Sequence, residues 1–171
     1  MRPGGVVAFV TSRYTMDAKD STVRRYLAQR AELLGAIRLP NDAFKKNAGA
    51  EVVSDIIFLQ KRDRPLDIVP EWTQTGIIRV PTKSQDFVGE GGATEQASFS
   101  PQGGNEQAQS ATTQDGFAIN RYFLNHPEMV LGRQEPESTA HGMDYTVNPI
   151  EGLEVEIYFN FVGRYIPPAL Q

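Results

Sequence analysis

Gly5-Val6-Val7-Ala8-Phe9-Val10-Thr11 is a continuous apolar run in which β-branched and aromatic residues predominate. A run of this kind is typical of a strand that is buried on both faces of a sheet. We therefore predict a first strand at residues 5–11. The segments that follow it along the chain decide what kind of sheet this strand joins.

A helix is predicted directly after the first strand. Asp20 and Ser21 are residue types that cap a helix N-terminus, and Gly35 can adopt the left-handed conformation that ends a helix. Between these positions, apolar residues recur at the spacing that puts them on one helical face. They are Val23, Tyr26, Leu27, Ala31 and Leu34. We expect this face to pack on the sheet.

Two more strands are predicted after the helix. Residues 36–39 form a short apolar segment that Pro40 stops, and residues 52–59 form a longer one. The first strand, the helix and the second strand make a strand–helix–strand unit, whose two strands run parallel. No helix is expected in the polar loop at 41–50, so the third strand should be antiparallel to one of the others. The sequence thus predicts an open α/β sheet with one antiparallel member.

The composition changes after Pro70. Residues 82–114 are rich in Gly, Gln, Ser, Thr and Ala and hold few apolar side chains, which is typical of a segment that cannot offset the entropy of ordering. We therefore divide the chain into an α/β region at 1–75, a disordered insertion at 76–114 and a C-terminal extension at 115–171. In the extension, we predict a short helix or extended segment at 117–124 and a strand at 155–162.

Composition limits the environment and the kinds of site. The chain of 171 residues has no cysteine, so it has no disulfide framework and no thiolate metal site, and we expect no metal. No apolar stretch is long enough to cross a bilayer, and the N-terminus lacks the layout of a signal peptide. A cytoplasmic protein without a membrane partner is expected.

Charge is distributed unevenly along the chain. Residues 1–64 hold 12 of the 17 Lys and Arg and 7 of the 21 Asp and Glu, a net charge of +5, and the remainder carries −9. A basic first half can face a phosphate backbone, because neutralising phosphates is the sequence-independent part of nucleic-acid affinity. An ordinary solvated surface is the alternative interpretation.

Three segments carry a resemblance to a known family. Arg2-Pro3-Gly4-Gly5 with the run up to Ser12 resembles the entry into the fifth strand of Rossmann-like adenine-specific DNA methyltransferases. Residues 36–44 resemble the sixth strand and the loop after it, and residues 52–62 are similar to the antiparallel seventh strand. Residues 122–132 are similar to a segment that follows the methylase core in large phage- and plasmid-borne proteins, which join this domain to a helicase. The resemblance covers roughly residues 1–75 and 115–150.

The resemblance implies a fold and a reaction. The fold would be the distal part of a Rossmann-like methyltransferase sheet, with strands equivalent to the fifth to seventh and an irregular C-terminal extension. In the complete family domain, S-adenosylmethionine binds at the carboxyl ends of the first strands, and the target adenine is flipped out of the duplex. The exocyclic amine of that adenine then attacks the methyl group.

Two family motifs perform this chemistry, and neither is present in full. The first is a glycine-rich cofactor loop, which Asp86-Phe87-Val88-Gly89-Glu90-Gly91-Gly92 imitates without an apolar helix behind it, so we interpret this stretch as linker. The second is an Asn/Asp/Ser-Pro-Pro-aromatic turn, of which Asn148-Pro149 and Pro167-Pro168 are incomplete versions. We therefore expect no catalytic residue and no bound cofactor in this chain alone.

These observations leave two hypotheses for function. The chain is expected to be a truncated adenine-specific DNA methyltransferase that is inactive alone and is completed by an upstream polypeptide carrying the first half of the domain. The alternative is a non-enzymatic remnant that binds DNA or protein through its basic first half. DNA is the expected partner in the first hypothesis and in one form of the second.

Phe44 is the one candidate position that the resemblance assigns directly to the DNA. In the family, an aromatic residue on the loop between the sixth and seventh strands packs against the flipped base, and Phe44 occupies the matching place. The alternative is that Phe44 plugs the end of the sheet. Lys45, Lys46 and Asn47 beside it can contact phosphate, or they can be ordinary solvated loop residues.

Other polar and aromatic residues are interpreted structurally. Asp17 and Asp20 lie near the carboxyl end of the first strand, where ligands bind in open sheets, but Asp20 is more simply a helix cap. Neither histidine, His126 or His141, lies in a pattern typical of metal binding or general-base catalysis. Trp72 and Tyr122 are expected to be packing residues.

Overall fold

The computed structural model describes residues 2–49, 51–80 and 116–152, which have a mixed α/β architecture. The strands are β1 Val6–Ser12, β2 Ala31–Leu39, β3 Ser54–Lys61, β4 Thr75–Ile78, β5 Phe117–Asn120, β6 Arg133–Thr139 and β7 Gly142–Asn148. The helices are α1 Tyr14–Asp17, α2 Thr22–Arg30, α3 Lys45–Ala48 and α4 Arg121–Asn125, with 3₁₀ turns at Glu71–Thr73 and Pro127–Met129. Among these described helices, none has the length and apolar character that crossing a membrane requires. The imitation cofactor loop at 86–92, the predicted strand at 155–162 and most of the predicted insertion lie outside the described residues.

The main sheet has three strands in the order β1-β3-β2, and β3 is antiparallel to both of its neighbours. In one row across the sheet, Val10 and Ile37 both pair with Ile56. This confirms the α/β class and the antiparallel third strand. The two strands of the predicted strand–helix–strand unit point in the same direction, but they are not neighbours, because β3 lies between them.

The predicted helix was too long at its C-terminal end. Helix α2 ends at Arg30, and β2 begins at Ala31, because residues 31–33 pair with residues 59–61 of β3. The hydrogen bonds between β2 and β3 thus replace those that residues 31–33 would have made within a longer helix. Gly35, expected to end the helix, lies inside β2 at a shift of register.

The predicted buried face of α2 was right for Leu27, which packs against the core, and wrong for Val23 and Tyr26. Val23 and Tyr26 are 62% and 56% exposed, whereas Arg24 is buried at 1%. The Arg24 guanidinium donates hydrogen bonds to the carbonyls of Thr73 (3.0 Å), Thr15 (3.2 Å) and Ala18 (2.7 Å). These three acceptors satisfy a buried cation and set the rotation of α2 on the sheet.

The loop between β2 and β3 contains a single helical turn, α3, where the sequence predicted none. Gly49 ends this turn with a left-handed backbone conformation (φ 63°), and its amide donates to the Lys45 carbonyl at 3.0 Å. A glycine directly after the last helical residue, as Gly49 follows Ala48, is the sequence signal that marks the end of such a turn.

Two strand pairs lie outside the main sheet. β4 pairs with β5 antiparallel, from Thr75 opposite Asn120 to Ile78 opposite Phe117, so residues 76–78 belong to a strand and not to the predicted insertion. The segment at 117–124, predicted as a short helix or an extended segment, contains both: β5 covers residues 117–120, and helix α4 begins at Arg121. The β6–β7 hairpin was not predicted, although Met143, Tyr145 and Val147 alternate with polar residues as half-buried strands do.

One apolar core joins the main sheet to the C-terminal segments. Ile57 and Leu59 of β3 belong to the same buried cluster as Trp72, Ile119 and Phe123, and Tyr122 packs against this cluster. The packing roles expected for Trp72 and Tyr122 are confirmed. Residues 116–148 are therefore part of the same folded unit as residues 2–80 and not a peripheral extension.

Candidate functional site

The carboxyl edge of the main sheet is the end at which β1 and β2 finish and β3 begins. Ser12 and Leu39 mark this edge, because both pair with Ser54 at the start of β3. In open α/β sheets, ligands bind outside the carboxyl ends of parallel-pointing strands, where connecting loops converge. The segments at 13–21 and 40–53 both leave from this edge, so a ligand site is expected there.

Phe44 lies on the loop between β2 and β3, as expected from the sequence. This loop is at the carboxyl edge. Its ring is half-buried and packs against a small apolar cluster formed by Ile37, Leu39 and Leu131. This contact holds the ring against the cluster, and the residue as a whole stays partly exposed. Phe44 therefore has a packing contact, which is the alternative role given for it above. This contact neither supports nor excludes stacking of Phe44 on a base.

The neighbouring cations are in contact with solvent. Lys45 is exposed and pairs with Glu51, and this hydrogen bond raises the pKa of the Lys45 amine above its ordinary value. Lys46 is exposed as well. The side chain of Asn47 lies outside what the structure describes.

Behind this loop, a buried ion network occupies the carboxyl edge. Arg38 of β2 binds Asp55 of β3 with two hydrogen bonds of 2.8 Å, from Nε to Oδ1 and from Nη2 to Oδ2. The same guanidinium donates Nη2 to Oδ1 of Asp17 at 2.9 Å, and its Nη1 lies 2.9 Å from Oδ2 of Asp17 without hydrogen-bond alignment. Arg38 and Asp55 are both 0% exposed.

Two opposing effects act on the Asp55 carboxyl. Burial raises its pKa, and the hydrogen bonds and charge of Arg38 act in the opposite direction. The pKa of Arg38 is raised despite its burial, because Asp55 and Asp17 both stabilise the guanidinium cation. The Arg38 guanidinium also lies 4.3 Å from the centre of the Phe123 ring, a cation–π contact.

Asn120 connects this network to the rest of the molecule. Its backbone amide donates to Oδ1 of Asp17 at 2.8 Å, and its side-chain amide donates to the carbonyls of Met16 (2.7 Å) and Trp72 (2.8 Å). Its side-chain oxygen caps α4 by accepting from the amide of Tyr122 at 2.9 Å. One buried side chain thus joins α1, the 71–73 turn and α4.

Asp144 joins the β6–β7 hairpin to the same edge. Its carboxylate accepts from Nη2 of Arg13 at 2.5 Å, from the Tyr14 hydroxyl at 3.0 Å and from the Tyr145 amide at 2.8 Å. Burial disfavours the ionised form of Asp144, but these donors outweigh burial and lower its pKa below the ordinary value.

The attachment of the hairpin should therefore weaken in acid. A carboxyl whose pKa is lowered by folding adds stability above its unfolded pKa of about 3.9, and this stability is lost as pH falls through the lower folded pKa. We expect Asp144→Asn to lower the free energy of unfolding at pH 7 by on the order of 1 kcal/mol or less, because the Asp144 side chain is 40% exposed. The deficit should shrink below about pH 4. Urea unfolding at pH 7 and pH 3 measures it, with exposed Asp67→Asn as the control, and a deficit independent of pH would contradict the prediction.

The buried ion network has a structural role. Asp17 and Asp55 are both engaged by Arg38, so neither is free to take a proton from a bound ligand. Sequence reasoning had placed Asp17 at this edge but had missed its buried partners. The signal that could have found them is the polar residue in each apolar strand, Arg38 in β2 and Asp55 in β3.

The remaining sequence candidates take no part in this ion network. Asp20 accepts from the backbone amide and the hydroxyl of Thr22 (2.8 and 2.6 Å), which supports the expected role at the start of α2 and lowers the pKa of Asp20. His126 is exposed and lies 3.2 Å from Glu128, and His141 is exposed in the turn of the β6–β7 hairpin. Among the described residues, no group of His, Cys, Asp and Glu could hold a metal ion.

The described residues of the carboxyl edge do not fit S-adenosylmethionine. Within residues 2–49 and 51–80, Gly49 is the glycine at this edge, so this part of the chain contains no glycine-rich loop that could approach the cofactor closely. The charged groups behind the loop are paired with one another. No step of a reaction through this cofactor follows from these residues alone.

No family model, curated protein or solved structure matches this chain.

Proposed function

We propose that this chain is the DNA-facing distal part of an adenine-specific DNA methyltransferase domain. It would act in the cytoplasm, and it would be active only when a proximal half supplies the S-adenosylmethionine loop and the Pro-Pro-aromatic turn. The observation that carries the proposal is the position of the loop with Phe44, Lys45 and Lys46. This loop leaves the carboxyl edge of two strands that point the same way, with an antiparallel strand paired to both.

The surroundings of Phe44 are compatible with stacking on a base. Its contact with the cluster of Ile37, Leu39 and Leu131 holds the ring in place, so little conformational entropy would be lost when a base stacks on the accessible part. Exposed Lys46 beside the ring can approach a phosphate, and Lys45 can do so by exchanging Glu51 for it. Stacking of a base on an aromatic side chain contributes about 1–3 kcal/mol.

A second candidate is a non-enzymatic protein that binds DNA or protein. It is favoured by the ion network, because the two buried carboxylates at the carboxyl edge are paired with Arg38 and are not available for acid–base chemistry. The two candidates differ in whether completing the domain produces methyl transfer.

Phe44→Leu should weaken binding of a flipped base without loss of the fold. Leucine keeps the contact with the apolar cluster and removes the aromatic face. We expect its affinity for duplex DNA with 2-aminopurine opposite an abasic site to fall about 5- to 150-fold, the equivalent of 1–3 kcal/mol of stacking. Affinity for an intact duplex should not change, and Phe44→Trp, which keeps a ring, is the matched control. If Phe44→Leu binds this DNA with wild-type affinity and quenches the fluorescence of 2-aminopurine as the wild type does, Phe44 has only a packing role.

The enzymatic part of the proposal requires a separate reconstitution. The chain is combined with a proximal-half polypeptide that carries the cofactor loop and the Pro-Pro-aromatic turn, and transfer of radiolabelled methyl from S-adenosylmethionine to adenine in DNA is measured. Transfer that requires both polypeptides supports the proposal. A folded complex without transfer would exclude it and favour the non-enzymatic alternative.

A further inference from the structure

Five cationic side chains belong to residues at the end of the main sheet opposite the carboxyl edge. We call them the amino-end patch: Arg2, Arg30, Lys61, Arg62 and Arg64. Backbone hydrogen bonds of 2.9 Å bring their segments together, from the amide of Lys61 to the carbonyl of Gly5 and from the amide of Arg62 to the carbonyl of Arg30. Three carboxylates, Glu32, Asp63 and Asp67, belong to the same segments, so the cations are in excess.

Arg30 shows how the cations of this patch are held. Its guanidinium lies 3.7 Å from the centre of the Tyr26 ring, and Nη1 donates to the Tyr26 carbonyl (3.2 Å) and to Oε1 of Gln29 (3.3 Å). These contacts position the guanidinium without neutralising its charge. Within residues 2–49, 51–80 and 116–152, Arg62 is the one member of the patch that is ion-paired, to Glu32 at 3.7 Å.

We propose that the amino-end patch binds the phosphate backbone of duplex DNA, independently of base sequence. Four of its five cations are arginines, whose planar guanidinium forms paired hydrogen bonds to phosphate oxygens. Tyr26, 56% exposed beside Arg30, adds a flat amphipathic surface of the kind that contacts sugar and phosphate. The proposal does not depend on the methyltransferase assignment, because it uses neither Phe44 nor the carboxyl edge.

The amino-end patch and the Phe44 loop are far enough apart to be tested separately. They lie at opposite ends of β2, which has nine residues from Ala31 to Leu39. At about 3.3 Å per residue, the two surfaces are roughly 26 Å apart along the strand. A single phosphate therefore cannot contact both, and variants at one end leave the other end intact.

The experiment measures the salt dependence of DNA binding for the full chain. The probe is a fluorescent 20-base-pair duplex of random sequence, and the anisotropy is followed from low to physiological salt. In the Arg30→Ala/Arg64→Ala variant, we expect the slope of log K against log salt to become shallower by about 2, because two phosphate contacts no longer release counterions. The charge-matched control Arg121→Ala/Arg133→Ala should keep the wild-type slope, and thermal unfolding verifies that both variants fold.

Each outcome of this experiment is informative. An unchanged slope in Arg30→Ala/Arg64→Ala, or an equal loss in the control, would overturn the proposal, as would wild-type protein that does not bind DNA. Tighter, Arg30-dependent binding to phosphatidylserine vesicles than to DNA would overturn it in favour of a membrane surface. If only Lys45→Ala/Lys46→Ala reduces the slope, the proposal for the amino-end patch is wrong and the proposed role of the Phe44 loop stands. If only the patch variant reduces the slope, the amino-end patch is supported and the Phe44 loop does not bind phosphate.

Discussion

Arg38→Met is expected to lower the free energy of unfolding by about 3–5 kcal/mol, the cost of breaking a buried ion pair by removing one partner. Asp55 would lose both of its hydrogen bonds from Arg38 at a position that is 0% exposed, so its carboxyl would have to stay charged and unpaired or take up a proton. Asp17 would lose its contacts with Arg38 as well, retaining Arg13 at 3.4 Å. Since a domain of this size is stable by only about 5–15 kcal/mol, this loss is a large share of the total.

A double variant separates the loss of the pair from the loss of packing. Arg38→Met/Asp55→Leu removes both charges and replaces them with apolar side chains, so we expect it to be more stable than Arg38→Met alone. Urea unfolding followed by the fluorescence of the single tryptophan, Trp72, measures both. A loss of less than about 1 kcal/mol in Arg38→Met would mean that water reaches the network and that the site is open to ligands.

The parts of the fold that could be predicted depend on local pattern. The apolar runs at 5–11 and 52–59 predicted β1 and β3 almost to their ends, since strands of this kind need no information beyond the run itself. The direction of β3 followed from the short loop before it. Its position between β1 and β2 did not, because several strand orders satisfy the same hydrophobic pattern.

The errors have a common physical cause. Arg24 and Arg38 are buried because each finds acceptors far along the chain, Thr73 for the first and Asp55 for the second. A pattern that treats arginine as a surface residue therefore assigns Val23 and Tyr26 to the buried face of α2 and does not find that Arg24 is buried. The end of α2 was misplaced for the same reason, since the pairing of residues 31–33 with β3 overrides their helical spacing.

The candidate site was predicted only in part. The sequence placed Phe44 on the loop between two predicted strands, and such a loop has to lie at one end of the sheet. The ion network behind it was not predicted, since Asn120 reaches Asp17 and Met16 across more than 100 residues of chain. Residues 116–125 are thus as much a part of the site's framework as the three strands.

This dependence can be tested with Asn120→Ala, for which we expect a loss of about 3 kcal/mol in the free energy of unfolding. The substitution removes the cap of α4, which contributes about 1 kcal/mol, and it leaves two buried carbonyls, of Met16 and Trp72, without their donors. The backbone hydrogen bond to Asp17 does not involve the side chain, so the effect reports on the side-chain amide alone. Exposed Asn125→Ala on the same helix is the matched control and should cost far less.

The form of the unfolding curve decides what the loss means. If residues 116–148 fold together with the main sheet, Trp72 fluorescence and far-ultraviolet circular dichroism should give one coincident transition in Asn120→Ala, shifted to lower urea. If these residues are a separate extension, the fluorescence transition should move to lower urea while the transition of the sheet stays where it is. We expect the single shifted transition, because Ile119 and Phe123 lie in the same apolar core as Ile57 and Leu59 of β3. A proximal half added to the carboxyl edge would then bind a framework that already includes the C-terminal segment.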